Sequence, residues 1–168
     1  MAKVSTTVIE TIAVPRAALF AWLVPGVFST ELDTVLRDEA GLPGVTRTTG
    51  TTGPWDRAGS TRIVHLSDGT WCRETVRVAT APDYFAYRLT EFSSRLIRML
   101  VMEANGQWWF TDEGTATRAK WTYTAESRSF LATPILIPVI RIMWNRYMRS
   151  AITRVKERAE NEVMRVAR

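Results

Sequence analysis

Polar and apolar residues alternate along most of this chain, and the places where the alternation gives way divide it into elements. Over residues 3–14, "KVSTTVIETIAV", Val4, Thr6, Val8 and Glu10 share one face and Ser5, Thr7, Ile9 and Thr11 the other, the period of a first strand. Pro15 then suits the first position of a helix, and "PRAALFAWLV" continues with helix formers until Pro25-Gly26, which is expected to stop it. "GVFSTELDTVLRDEA" predicts a second short helix, followed by a Gly/Pro/Thr-rich loop over 41–59 that holds a weak strand at 45–52. Strands follow at regular intervals, at 61–66, 70–80, 83–92, 101–111 and 115–126. Pro82-Asp83 and Asp112-Glu113-Gly114 supply two of the turns.

From Thr133 the period changes. Ile140, Trp144, Tyr147 or Met148, Ala151 and Val155 recur at three- and four-residue steps with arginines between them, the pattern of a long amphipathic helix. Pro134 or Pro138 is expected in its first turn, because a proline further inside removes a ladder hydrogen bond. No linker or repeat interrupts the order, so residues 1–168 read as one domain. It is an α+β chain with a curved antiparallel sheet of about six or seven strands wrapped around a long C-terminal helix. Two short helices follow the first strand. A sheet and helix in that arrangement rarely fill the space between them, so an internal cavity is expected.

One strand poses a problem. In "CRETVRV" the alternation puts Cys72, Glu74, Val76 and Val78 on the inward face and Arg73, Thr75 and Arg77 on the other, so a carboxylate points into the core. The preceding Ser67-Asp68-Gly69 turn sets its partner. A two-residue Asp68-Gly69 turn would place Glu74 opposite Ile63. A three-residue loop with Gly69 left-handed would place it opposite Arg62. The second register buries Val64 and Leu66 beside Glu74 and is adopted here. Paired with a guanidinium and hydrogen-bonded, a buried carboxylate stays charged; alone it would not. The pair either staples the sheet or contacts a ligand, and the sequence leaves both open.

The same alternation turns Phe85 and Tyr87, Trp108 and Phe110, and Trp121 and Tyr123 inward, opposite Ile140, Trp144, Tyr147 and Ala151 of the helix. With Arg62, Val64, Glu74 and Val76 these residues form the expected lining of an elongated pocket, apolar with a few polar tips. His65 falls on the outer face in this register. As a lone histidine it is read as a surface residue rather than a catalyst.

Composition narrows the options. Of 168 residues, 46% are hydrophobic and 23% charged, ordinary for a soluble globular chain. Seven tryptophans suit either a core or a pocket for a greasy ligand. The net charge of +5 comes from scattered residues, densest over 141–168, and no nucleic-acid motif spacing is present. No nucleic-acid partner is expected. One histidine and one cysteine are too few for an ordinary zinc site, and the glycines of 41–59 lack a phosphate-loop pattern. Neither metal nor cofactor is expected. A single cysteine excludes an internal disulfide, and the first residues lack signal architecture, so a cytoplasmic location is expected. The apolar run 130–140, "FLATPILIPVI", is too short to span a bilayer. It either packs under the first helix or, with Arg141, Arg146 and Arg149, makes transient contact with an anionic membrane.

The run Ser60-Thr61-Arg62-x-Val64-x-Leu66-x-Asp68-Gly69 resembles the START-like SRPBCC superfamily, in its polyketide cyclase/dehydrase and lipid-transport branch. Glu74, "FAYRLT" (85–90), "GQWWF" (106–110), "WTYT" (121–124) and "AVPRAALFAWL" near the start carry the same resemblance, which covers residues 4–160. It implies a helix-grip fold whose members bind lipids, quinones, polyketides or hormones, only some of them as catalysts. The reading that follows is binding, transport or sequestration of a hydrophobic or amphipathic small molecule by a monomer or homodimer. The alternative is a cofactor-independent polyketide cyclase or dehydratase in which Arg62 and Tyr87 stabilise an enolate and Glu74 moves protons.

Overall fold

In the computed structural model, which describes residues 2–166, the alternating segments become β1 (Lys3–Ile12), β2 (Val45–Thr49), β3 (Thr61–Leu66), β4 (Trp71–Thr80), β5 (Tyr84–Thr90), β6 (Val101–Glu113) and β7 (Ala116–Ser127). They form one antiparallel sheet in the order β1-β7-β6-β5-β4-β3-β2. Helices α1 (Arg16–Trp22), α2 (Phe28–Thr30) and α3 (Leu32–Val35) follow β1, α4 (Arg95–Leu100) precedes β6, and α5 (Thr133–Pro138) leads into α6 (Asn145–Val166). The sheet curves around the helical stretch 133–166, the helix-grip arrangement expected of the sequence.

Two prolines behave differently from expectation. Pro25-Gly26 does not end the first helix; residues Leu23–Val27 widen into a π turn and the chain continues into α2. Pro134 does sit in the first turn of α5, but Pro138 lies inside the helix and is followed by a second π turn, Val139–Trp144. In each case the missing proline N–H and the ring's steric demand coincide with a wider turn instead of a break. The sequence also left 93–100 unassigned. There Ser94 caps α4, its Oγ accepting from Ile97 N at 3.4 Å, and Leu96, Ile97 and Leu100 follow at helical spacing.

The β3–β4 turn takes the three-residue form. Gly69 has φ +83°, Leu66 N donates to Thr70 O at 2.8 Å, and Arg62 pairs with Glu74 across the ladder. Beyond Val76, β4 departs from expectation: a bulge at Arg77 shifts the register, so Val78 pairs with Ala86 on the outer face and is 40% exposed. One extra residue reverses the faces that follow.

One end of the grip is solid. Leu19 and Phe20 of α1 pack with Ile12, Val14, Phe110, Ala119, Ala151, Ile152, Val155 and Ala159, all buried. Thr117 Oγ1 donates to Val14 O at 2.7 Å there. The polar side of α6 holds the short helices: Arg158 bridges to Glu31 at 2.7 Å, and Arg154 reaches Val35 O and Glu39. These contacts fix α2 and α3 as one wall of the space left at the other end.

Candidate ligand-binding cavity

That space is a cavity of about 320 Å³, within the range of small-molecule sites. Its sheet wall carries Arg62 and Val64 of β3, Cys72 and Glu74 of β4, Phe85, Tyr87 and Leu89 of β5, Trp108 of β6, and Trp121, Tyr123 and Ala125 of β7. Leu136, Val139, Ile140, Trp144 and Tyr147 roof it. Phe28, Leu32 and Val35 close one side, and Trp71 and Leu96, both exposed, mark the mouth together with Asp68 and Thr70.

Most of the residues expected from the sequence meet here, but Val76, Phe110 and Ala151 do not line the space. All are buried, and each belongs to packed core. Phe110 sits edge-on to Phe20 of α1 at 5.6 Å, and Ala151 is fully buried on α6, which packs against α1. Val76 is one step past Glu74, where the bulge begins. The sequence did not identify Phe28, Leu32 and Val35 as wall residues, although their three- and four-residue spacing was visible. Leu96 was missed with its helix, and Trp55 was missed because it stands in an irregular loop. His65 is off the wall, its Nε2 sharing a hydrogen bond with Thr49 Oγ1 at 2.8 Å.

Arg62 and Glu74 form the polar centre. Arg62 Nε donates to Glu74 Oε2 at 2.7 Å, with side-chain exposures of 0% and 7%. Arg62 Nη1 donates to the carbonyl oxygens of Phe28 and Ser29, and the guanidinium lies 3.6 Å above the Trp55 ring. Such stacking on a desolvated cation contributes about 0.5–2 kcal/mol. One donor is left over: Arg62 Nη2 is buried without an acceptor. Among the described residues Glu74 Oε1 accepts no hydrogen bond. The indole Nε1 atoms of two further wall residues, Trp55 and Trp144, are also buried and unpartnered. Donors in that state are costly unless something accepts from them.

The phenols nearby are donors, not bases. Burial first, and then the Glu74 charge, pushes the Tyr87 phenol well above its ordinary value. Burial likewise raises Tyr123 and Tyr147. Burial pushes the Cys72 thiol up to about 12, so it remains protonated and unreactive at neutral pH. Tyr87 Oη accepts from Trp121 Nε1 at 3.2 Å, leaving its own proton available. Trp121 stacks on Trp108 at 4.8 Å, and Trp144 stacks on Tyr147 at 4.8 Å. Among the described residues no group of three or more His, Cys, Asp or Glu is placed to hold a metal.

The position of Tyr87 depends on its cross-strand partner, Gly106. The ring lies across the glycine so closely that a Cβ there would stand 2.0 Å from Tyr87 Cζ. Gly106→Ala should therefore swing the ring into the cavity and break its bond to Trp121. Urea unfolding should show a loss of about 1–3 kcal/mol, the usual range for overpacking. The loss should be much smaller in a Tyr87→Ala background, and an equal loss there would contradict this account of Gly106.

No protein-family model and no curated protein matches the sequence. Solved structures do match the fold. Norcoclaurine synthase from Thalictrum flavum, solved with dopamine and hydroxybenzaldehyde, superposes with TM-score 0.67 at 12% identity, covering 96% of this chain and 89% of that one. Ara h 8.0201 gives 0.64 at 12% identity, covering 98% and 99%. The ginseng major latex-like protein 151 from Panax ginseng gives 0.62 at 10%, covering 92% and 96%. At such identities the likeness establishes the helix-grip architecture and leaves the chemistry to the residues of the cavity.

Proposed function

We propose that this helix-grip chain binds a hydrophobic or amphipathic small molecule, such as a lipid, quinone or polyketide-like compound, between its sheet and its C-terminal helix. The observation that carries the reading is an apolar, aromatic-walled cavity of about 320 Å³ between sheet and helix. The charge of Arg62 is already balanced by Glu74 at 2.7 Å. A carbonyl or hydroxyl oxygen on the ligand would therefore suffice, and a carboxylate would bury an extra charge. The synthase whose structure holds dopamine and hydroxybenzaldehyde supports small aromatic compounds as one class such a grip accommodates.

The test is titration with the apolar fluorophore N-phenyl-1-naphthylamine, alongside native mass spectrometry of gently purified protein. Cys72 faces the cavity from β4, so Cys72→Trp should fill the space and weaken uptake by at least about tenfold, a loss of about 1.4 kcal/mol. Unchanged uptake by a cooperatively folded Cys72→Trp would contradict binding in the cavity.

A second reading is favoured by one detail: among the described residues Glu74 Oε1 accepts no hydrogen bond, and it lies near phenols that keep their protons. In a polyketide cyclase or dehydratase, Arg62 or Tyr87 would stabilise an enolate oxygen and Glu74 would carry the proton. Glu74→Gln separates the two readings. A binder keeps its affinity, whereas an enzyme loses turnover by orders of magnitude at nearly unchanged substrate binding.

A further inference from the structure

An exposed apolar surface that the cavity does not explain lies beside its mouth. Leu96 and Met99 of α4, Phe130 and Leu131 of the segment before α5, Ile135 of α5 and Ile142 of the following π turn are all exposed, Phe130 at 80% and Leu131 at 70%. The two segments are joined: Arg128 N donates to Leu100 O at 2.9 Å, and α4 packs against α5. Single exposed apolar residues need no account, but a cluster of this kind marks an interaction site.

Its surroundings are basic. Residues 92–102 and 127–156 contain no aspartate or glutamate. Arg95, Arg98, Arg128 and Arg141 are exposed, and among the described residues none of them forms an ion pair. That contrasts with Arg154 and Arg158 on the far part of the helix, which are held by Glu39 and by Glu31 and Glu162. The elements that present the patch outward also wall the cavity inward, through Leu96, Ile97, Leu136 and Val139. No helix among the described residues is long and apolar enough to cross a membrane.

We infer that the α4–α5 face docks peripherally on an anionic lipid bilayer, with Phe130 and Leu131 entering the acyl boundary and the unpaired arginines meeting lipid phosphates. Leucine, isoleucine and phenylalanine edged by arginine is the chemistry of an interfacial element. Of the anchors typical of a protein interface the patch offers arginine but neither tyrosine nor tryptophan, and leucine, which it exposes twice, is under-represented among such anchors. Docking here sets the cavity mouth at Leu96 and Trp71 beside the bilayer, where an apolar ligand can pass without crossing water. This purpose rests on the cavity reading; the docking itself does not.

The experiment is vesicle flotation of the full chain with phosphatidylcholine vesicles containing graded phosphatidylglycerol. Bound protein should rise with phosphatidylglycerol and fall as salt screens the arginines. Phe130→Ser/Leu131→Ser and Met99→Ser/Ile135→Ser should each lower partitioning by at least about tenfold. Thermal unfolding of both variants should match the parent, because the residues are exposed. No flotation at low salt, or equal binding to neutral vesicles, overturns the proposal. So does a dimer in sedimentation that the same variants abolish, which would show that a second copy covers the face. N-phenyl-1-naphthylamine uptake measured without vesicles reports the cavity separately, so failure of one reading is distinguishable from failure of the other.

Discussion

Arg62→Met should destabilise the fold by about 3–5 kcal/mol, because it leaves the buried Glu74 carboxylate without its cation. Methionine fills much of the same volume, so the loss is electrostatic rather than a void. Two carbonyls, those of Phe28 and Ser29, lose their donor in the same step, and α2 loses its tether to the sheet. Glu74→Leu alone should cost less, because Arg62 keeps those carbonyls and the face of Trp55. The double variant Arg62→Met/Glu74→Leu should recover most of the loss, since an apolar pair of similar volume often matches a buried ion pair. Urea denaturation of the four proteins measures the coupling directly. If the single and double variants were equally unstable, the two side chains would not be coupled as their 2.7 Å contact implies.

The second large effect is expected at Trp108. Its indole touches the rings of Phe28, Phe110 and Trp121, with centroids 5.4, 6.0 and 4.8 Å away. It thereby joins the packed end of the grip to the cavity. Trp108→Ala removes the contact on all three sides, and truncation of a buried tryptophan costs about 3–5 kcal/mol. The new void should open into the existing cavity and not stay sealed. Stability should fall while the protein gains room for a bulkier probe. Urea unfolding read together with titration of two fluorophores of different size would show it. A stability loss below about 1 kcal/mol would mean that the neighbouring rings collapse into the gap, contrary to this packing account.

Much of this was legible in the strands. Alternation alone placed Phe85, Tyr87, Trp108, Trp121 and Tyr123 on the cavity face, and the gain from burying Val64 and Leu66 selected the turn that sets Arg62 opposite Glu74. Strand period is local, so a local reading suffices. What failed was non-local or irregular. The bulge at Arg77 reverses Val78 through one extra residue that carries no compositional mark. Phe110 and Ala151 face the right way, but α1 occupies the space in front of them, a fact of tertiary packing. Trp55 reaches the wall from a loop, where no period exists to place it, and α4 is only six residues long, too short for a firm helical pattern. Periodicity finds the faces of elements; it does not say how deep the empty space runs between them.

The π turn at Val139–Trp144 has a consequence for how such a site can change over generations. A π turn holds one more residue than the α turn it replaces. Losing one residue there would restore regular helix and leave everything downstream facing as it does now, because the wide turn takes up the extra residue within one revolution. Tyr147 would stay on the roof and only the side chains of the turn itself would change, while all seven strands kept their register. In this chain a single codon lost at the turn would therefore edit the part of the roof that Val139, Ile140 and Trp144 form, without disturbing the rest of the grip.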